Sequence, residues 1–519
     1  MIFTGPWMNL APYPKVPISS YLQPAASRFP NKPAFISPDG KEYTFAQVWT
    51  AARRIARLLQ DRGLRKGDRV GIYSPNLPEY APAFHGVALA GGVVTTLNPL
   101  YREREVVHQL SDAGATALFA SKLVMPVVDA VRGELPPLKD VFAIEDLWQL
   151  ADSVSGDPQP VAIDAERDLA ALPYSSGTTG LPKGVMLSHF NLSSNLRQAA
   201  AGPHLFDAYS VLLDFLPFYH IYGLQILMNL GLAVGATQVV MARFDPEQTL
   251  ALVQRHRVTG LFVVPPALLV LSNLPNLATF DTSSLGFILS GAAPLPPEVA
   301  DRGAEAFGCP ILQGYGLTET SPLANSNPLH RIKRASVGPP APDTEEKVVD
   351  LETGAELGPG EVGEILIRGP QVMKGYWQQP QATAECLTED GWLRTGDIGS
   401  LDEEGYGYIV DRVKEMIKYK GYQVAPAELE AVLHEHPAVA DAVVIPKPDA
   451  LAGEIPKAFV VLNGAGSLSA QEIMDFVAER VAPYKKVRQV EFVESIPKTL
   501  SGKILRRELI ERERAASAE

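Results

Sequence analysis

Cysteine is nearly absent: Cys309 and Cys386 are the only two in 519 residues. Two thiols make no disulfide framework, and a reducing cytosol is the expected setting. An excess of positive charge is missing as well. The 46 Lys and Arg against 59 Asp and Glu leave a formal net charge of −13, which argues against general nucleic-acid binding and against attraction to anionic membranes. A local basic pocket remains compatible with that balance. No clean membrane span is present either. Between Asp214 and Arg243 no Asp, Glu, Lys or Arg occurs, but Gln225, Asn229, Gln238 and three glycines interrupt the run. The stretch predicts a buried helix, a turn at Gly235-Ala236-Thr237 and a buried strand. The start, MIFTGPWMNLAPYPKVPISS, lacks the basic and apolar regions of a secretory signal, and Ala516-Ser517-Ala518-Glu519 carries no peroxisomal or lipidation signal. The expectation is a cytoplasmic protein with no nucleic-acid partner and no integral membrane segment; the oligomeric state stays open.

What is present is a globular composition, 46% apolar and 20% charged, long enough for two or more domains. Ala34-Phe35-Ile36 and Glu42-Tyr43-Thr44-Phe45 predict a strand pair turning at Asp39-Gly40. Thr44 with Gln47 three residues on reads as a helix cap, and that helix is expected to stop at Gly63. Strand and helix then alternate past residue 300, through Asp68–Tyr73, Ala117–Phe119, Gly260–Val264 and Phe287–Ser290. Alternating βα units with near-continuous apolar strands predict parallel sheets covered on both faces. From about 335 hairpin signals take over, at Glu352-Thr353-Gly354 and Gly358-Pro359-Gly360, with a strand at Glu364–Arg368. Beyond Val410–Lys414 the remaining hundred or so residues suffice for a separate α+β domain. The expected fold class is therefore α/β. A large N-terminal domain, 1–411, holds parallel βα-type sheets and a β-rich subdomain from about 335 to 411. A small, mobile α+β domain, 412–519, follows.

The stretch Tyr174-Ser175-Ser176-Gly177-Thr178-Thr179-Gly180-Leu181-Pro182-Lys183-Gly184 holds three glycines, four Ser/Thr hydroxyls and one lysine. Glycines let a backbone approach a ligand closely, and hydroxyls, backbone N–H groups and a lysine can hold phosphate oxygens. Its spacing is not that of the common NTPase P-loop. Alone it reads equally well as a flexible surface loop.

Other motifs change that balance: Leu216-Pro217-Phe218-Tyr219-His220-Ile221-Tyr222-Gly223; Ser290 to Leu295; Gln313-Gly314-Tyr315-Gly316-Leu317-Thr318-Glu319-Thr320; Gly391 to Asp397; Asp411 to Glu430; and Pro497 to Lys503. Together, and in this order, they make nearly the whole chain resemble the adenylate-forming superfamily, closest to 4-coumarate–CoA and fatty-acyl-CoA ligases. The resemblance implies a two-step reaction, in which an acid and ATP give acyl-AMP and pyrophosphate and coenzyme A then displaces AMP. ATP, Mg²⁺ and coenzyme A are the implied co-substrates and cofactor, and an aromatic or medium- to long-chain carboxylic acid is the implied small-molecule partner. Ser175, Ser176, Gly177, Thr178, Thr179 and Lys183 would hold phosphates. Gln313, Gly314 and Tyr315 would form the adenine site. Thr318 would meet the α-phosphate, and Glu319 with Thr179 would hold Mg²⁺. Asp397 would accept the ribose hydroxyls and Arg412 would bind ribose or phosphate, with Lys414 at the hinge.

Lys503 would bridge carboxylate and phosphate in the first step, offsetting the charge of two oxyanions that must meet. Lys418 and Gln423 would contact AMP in a rotated arrangement, where Lys420 and Gly421 contact coenzyme A; Arg243 would meet its phosphate. His220 would gate the acyl carboxylate. Tyr222, Gly291, Gly316, Pro322 and Leu323 would line the acyl pocket. None of these five is charged, so an apolar or aromatic tail is expected and a charged one is penalised. Each residue has a plainer reading: a lone Glu is ordinarily a solvated carboxylate, a lone His structural, an Asp after Thr-Gly a turn residue. Leu366 and Ser188 depart from the coumarate-type pattern, at positions away from the chemistry. Two other functions are weighed against the ligase: an enzyme that loads a carrier protein, and a non-catalytic nucleotide-binding protein. Every position that the second would need altered, from Thr179 to Lys503, carries a competent residue.

Overall fold

The computed structural model describes the chain except residues 136–137, 176–181, 204, 413–414, 420–421, 450–451, 465–467, 482, 500–503 and 519; for 422–423 and 514–518 it describes the backbone alone. Two sheets carry the N-terminal body. The six-stranded one runs, edge to edge, Leu187–Ser188, Leu169–Ala171, Val93–Leu97, Arg69–Tyr73, Ala115–Ala120, Asp140–Ala143. The eight-stranded one runs Leu323–Ser326, Ile311–Gly316, Phe287–Ser290, Gly260–Val263, Val211–Asp214, Thr237–Val240, Pro33–Ile36, Glu42–Thr44. Their inner strands are parallel, as the continuous apolar runs require. Antiparallel pairs close three edges instead of parallel ones: Leu187–Ser188, Glu42–Thr44 and Leu323–Ser326. Short hairpins and tight returns, which need no crossover helix, make those edges antiparallel.

The helix Leu22–Arg28 comes first in the chain, and local expectations for the next one hold at its cap. Phe45–Asp61 starts at Thr44, whose side chain accepts from the Gln47 backbone while Gln47 reaches back to the Thr44 N–H. The Asp214–Arg243 stretch is a helix then the strand Thr237–Val240, but its first two turns, Tyr222–Asn229, are a π-helix. Such turns are rare and concentrate at functional sites. Among the described residues no helix is long and apolar enough to cross a membrane.

A five-stranded sheet, Phe3–Thr4, Glu345–Val349, Gly363–Arg368, Leu393–Leu401, Gly407–Arg412, forms the β-rich part. Leu366 packs there with Val349 and Trp392. The chain N-terminus supplies one edge strand, a long-range pairing that local sequence does not announce. The last part has its own sheet, with the antiparallel pair Val439–Asp449 and Gly453–Leu462 at its centre. Its two apolar clusters, around Val444 and Phe459, draw only on residues 417–510. The main core, by contrast, runs from Ile18 to Leu393 and includes strands of both large sheets.

Candidate active site

The loops that follow Val211–Asp214, Gly260–Val263, Phe287–Ser290 and Ile311–Gly316 open on one cleft of about 1370 Å³. This is the carboxyl end of the parallel strands, where open α/β sheets bind ligands. Asn76, from the six-stranded side, fixes one of these loops. Its Oδ1 accepts from Phe218 N at 2.7 Å, and its Nδ2 donates to the carbonyls of Leu216 and Asp214 at 2.9 and 3.2 Å. Thr96 Oγ1 donates to the Tyr219 carbonyl at 2.7 Å. These bonds present His220 to the cleft, where its Nδ1 accepts from Tyr222 N at 3.3 Å.

The hydroxyl-rich loop is pinned at both ends by the antiparallel pair Ser175–Lys183 and Tyr174–Gly184. Ser176, Gly177, Thr178 and Thr179 lie outside the described residues. Ser175 Oγ donates to Glu319 Oε1 at 3.3 Å, and Tyr376 Oη donates to the same oxygen at 2.8 Å. Glu319 Oε2 takes no hydrogen bond from the described residues. Lys183 Nζ stands 5.1 Å from the centre of the Tyr376 ring. Ser175, Lys183, Thr318, Glu319 and Tyr376 all line the cleft.

Gln313, Gly314, Tyr315 and Gly316 form a strand rather than a turn. Gly316 is required by packing: a Cβ there would fall 1.9 Å from the Pro322 carbonyl oxygen. Tyr315 Oη donates to Asp397 Oδ2 at 2.6 Å. Burial, then the charge of Asp397, pushes this phenol well above its ordinary range. Asp397 sits in the strand Leu393–Leu401 opposite Arg412, whose Nε lies 3.0 Å from Asp397 Oδ1. The Asp397 charge pushes the Arg412 guanidinium upward, against the effect of its burial. Asp397 is thus a strand residue, not a turn one.

On the other side the cleft is apolar. Tyr222, Gly291, Pro322 and Leu323 line it with Gly316. Tyr222 covers Gly291 so closely that a Cβ there would lie 3.2 Å from ring carbon Cε1.

The small domain closes the cleft with Lys498, His434 and Arg506. Lys498 Nζ donates to Asp441 Oδ2 at 2.5 Å. The Lys498–Ile504 bridge flanks Lys503, which itself lies outside the described residues, as do Lys414, Lys420 and Gly421. Lys418 is exposed and, with Arg243, does not line the cleft; the Gln423 side chain is not described. Three features escape the motifs. Tyr376 is one, although Lys374-Gly375-Tyr376-Trp377 could have marked it. The second is Arg506, bonded at 2.7 and 2.9 Å to both oxygens of Glu430 and at 2.8 Å to Glu415. Burial pushes the Glu430 carboxyl up and Arg506 draws it back. The third is an apolar wall of Ala199, Ala200, Pro203, Leu205 and Phe206, which no motif covers.

Residues 22–377 match the AMP-binding enzyme family, and residues 428–503 match the AMP-binding enzyme C-terminal domain. The chain is 38% identical to a long-chain-fatty-acid–CoA ligase of Bacillus subtilis (strain 168), over 97% of this chain and 95% of that protein. It is 40% identical to a 4-coumarate–CoA ligase of Pinus taeda, over 95% and 94%. Its structure is similar to that of an anthranilate CoA ligase in complex with anthranoyl-AMP, with a TM-score of 0.92, 28% identity, and 99% and 100% of the two chains covered. The chain belongs to the AMP-binding enzyme family, among the acyl-CoA synthetases of the adenylate-forming superfamily. The reaction is ATP-dependent ligation of a carboxylic acid to coenzyme A.

Proposed function

We propose that this ligase activates an apolar carboxylic acid in the cleft between residues 1–411 and a lid, 412–519, with the residues named above as its working groups. The observation that carries the reading is the division of one cleft. Ser175, Glu319, Tyr315, Asp397 and Arg412 gather at its polar end, and Tyr222, Gly291 and Leu323 at its apolar end. Asp397 and Arg412 would take the ribose, the face of Tyr315 the adenine, and Lys183 with the Ser176–Thr179 loop the β- and γ-phosphates. His220 would stand beside the acid carboxylate, and Thr318 at the α-phosphate.

A divalent cation fits the donor set here, because Glu319 Oε2 faces no protein donor among the described residues and a hard ion prefers carboxylate, hydroxyl and phosphate oxygens. Glu319 and Thr179 would hold Mg²⁺, which supplies charge neutralisation on the phosphates. The acid carboxylate attacks the α-phosphorus, and the bond to pyrophosphate breaks. Lys503 bridges both oxyanions and offsets their charge as they meet. The lid then turns about Lys414, bringing Lys418, Lys420, Gly421 and Gln423 inward, while Arg243 meets coenzyme A from the body. The thiol loses its proton and attacks the acyl carbon, and AMP leaves. Two free cysteines, Cys309 and Cys386, support a reducing, cytoplasmic setting.

The test is ATP–pyrophosphate exchange across cinnamates, benzoates and fatty acids, each with and without coenzyme A. Exchange with an acid, and AMP release only with coenzyme A, is the expected result. AMP release only with a carrier protein that bears a free thiol would replace this reading by the carrier-loading one.

A further inference from the structure

The cleft does not end at Gly291 and Tyr222. Past them it continues between the last turn of the helix His189–Ala201 and the π-helix Tyr222–Asn229. Tyr222, Ile226 and Leu230 line it at intervals of four residues, forming one stripe along the helical segment. Eight residues of helix extend that stripe about 12 Å at the α-helical rise, and somewhat less through the wider π turns. Phe262 backs the passage. Its ring lies 6.3 Å from that of Tyr222 and 5.7 Å from that of Phe206, so an aromatic wall runs without a break from the reaction end to the far end. Ala199, Pro203 and Leu205 face it from the other side.

Among the described residues the chemistry of this arm is uniform. Ala199, Pro203, Leu205, Phe206, Ile226 and Leu230 carry no polar side-chain atom. The one hydroxyl at its mouth, on Tyr222, is directed to the Leu289 carbonyl at 3.4 Å. A hydroxylated ring pushed into the arm finds no partner for its hydroxyl among the described residues of these walls, which costs roughly tenfold to a hundredfold in affinity. An alkyl chain has no such group, and each methylene buried there gains about three- to fourfold.

We propose that the acid is an extended aliphatic one of medium to long chain, whose tail passes Tyr222 and lies in this arm. The inference rests on the ligase reading above and specifies its substrate. Ala199 is the place to narrow the arm, because a larger side chain there adds bulk to one of its lining positions.

The experiment measures kcat/KM for CoA thioester formation by the full chain with butanoate, hexanoate, octanoate, decanoate, dodecanoate and 4-coumarate. The expected profile climbs about three- to fourfold per methylene from hexanoate to decanoate, and decanoate exceeds 4-coumarate at least about tenfold. Ala199→Phe is expected to lower the decanoate-to-hexanoate ratio by about tenfold or more. Ile226→Ala is expected to move the optimum to a longer acid, and serves if Ala199→Phe does not fold. A flat chain-length profile, a wild type that prefers 4-coumarate, or a ratio untouched in the folded variants overturns the inference. Activity with 4-coumarate alone overturns it but leaves the ligase reading standing. No pyrophosphate exchange with any acid overturns both.

Discussion

The two ends of the cleft are built by opposite rules. At the polar end the carboxylates are held by polar partners: Asp397 by Tyr315 and Arg412, one oxygen of Glu319 by Ser175 and Tyr376, Glu430 by Arg506. In the apolar arm shape alone operates, through Ile226, Leu230, Phe262 and Phe206. A buried ion without a partner is costly, so the polar end tolerates few residue types at each position. An apolar wall tolerates many, provided volume is kept. The reaction is therefore written in the first region and the choice of acid in the second.

Breaking the polar end should have the largest effects. Arg506 and Glu430 expose only 12% and 11% of their side chains. Arg506→Ala leaves a buried carboxylate uncompensated and is expected to destabilise the lid by about 3–5 kcal/mol. Denaturation followed by a probe in the lid and another in the body would separate the two; a loss shared equally by both would mean that they unfold as one. Lys503→Ala is expected to slow acyl-AMP formation by about 10²–10³ while synthetic acyl-AMP is still converted to thioester. Retained pyrophosphate exchange would remove Lys503 from the first step.

Smaller effects test how the polar end is supported. Glu346 lies behind the nucleotide strand, bonded by Asn325 Nδ2 at 3.1 Å, and Asn325 pairs with Tyr315. Burial pushes the Glu346 carboxyl up to about 8, opposed by the Asn325 bond. The folded chain then keeps a proton that the unfolded chain releases. Its contribution is complete below about pH 4.5 and is lost as pH rises towards about 8, with a slope of up to about 1.4 kcal/mol per pH unit. Glu346→Gln is expected to flatten that slope, seen as denaturation midpoints that fall less between these limits than in the wild type. Tyr376→Phe removes a bond to a carboxylate, worth roughly 1.5 kcal/mol, and should lower kcat/KM for ATP about tenfold. At the apolar end, Tyr222→Phe deletes only a long hydrogen bond and is expected to change kcat/KM for the acid by less than about twofold. A larger loss would place a polar contact inside the arm and blur the contrast.

The same contrast explains what could be read from the sequence. Ser175, Lys183, Glu319, Tyr315, Asp397 and Arg412 stand in short motifs, since a ligand's fixed geometry constrains neighbours along the chain, and all six line the cleft. The alternating strands, the Thr44 cap and the independent core of the lid were legible because each depends on local pattern. The wall from Ala199 to Phe206 was not. Its Phe206 meets Phe262 across 56 positions, and apolar residues there look like any other core. Tyr376 was hidden in the same way, since its bond to Glu319 spans 57 positions. The edge strand Phe3–Thr4, which pairs with Glu345–Glu346, is another case of a partner too distant to foresee.

The π-helix at Tyr222–Asn229 gives chain length, rather than side-chain identity, control over the arm. A π turn holds one residue more than an α turn, so deleting a single residue there would restore ordinary helical winding. The helix before and after the deletion would keep its facing, because the wider turn had already taken up the extra residue. Only residues inside the turn, Ile226 among them, would change place, and a neighbour of different bulk would take the position next to the passage. One lost codon would then reshape the middle of the acyl passage in a single step, while every motif that handles the nucleotide stayed letter for letter the same.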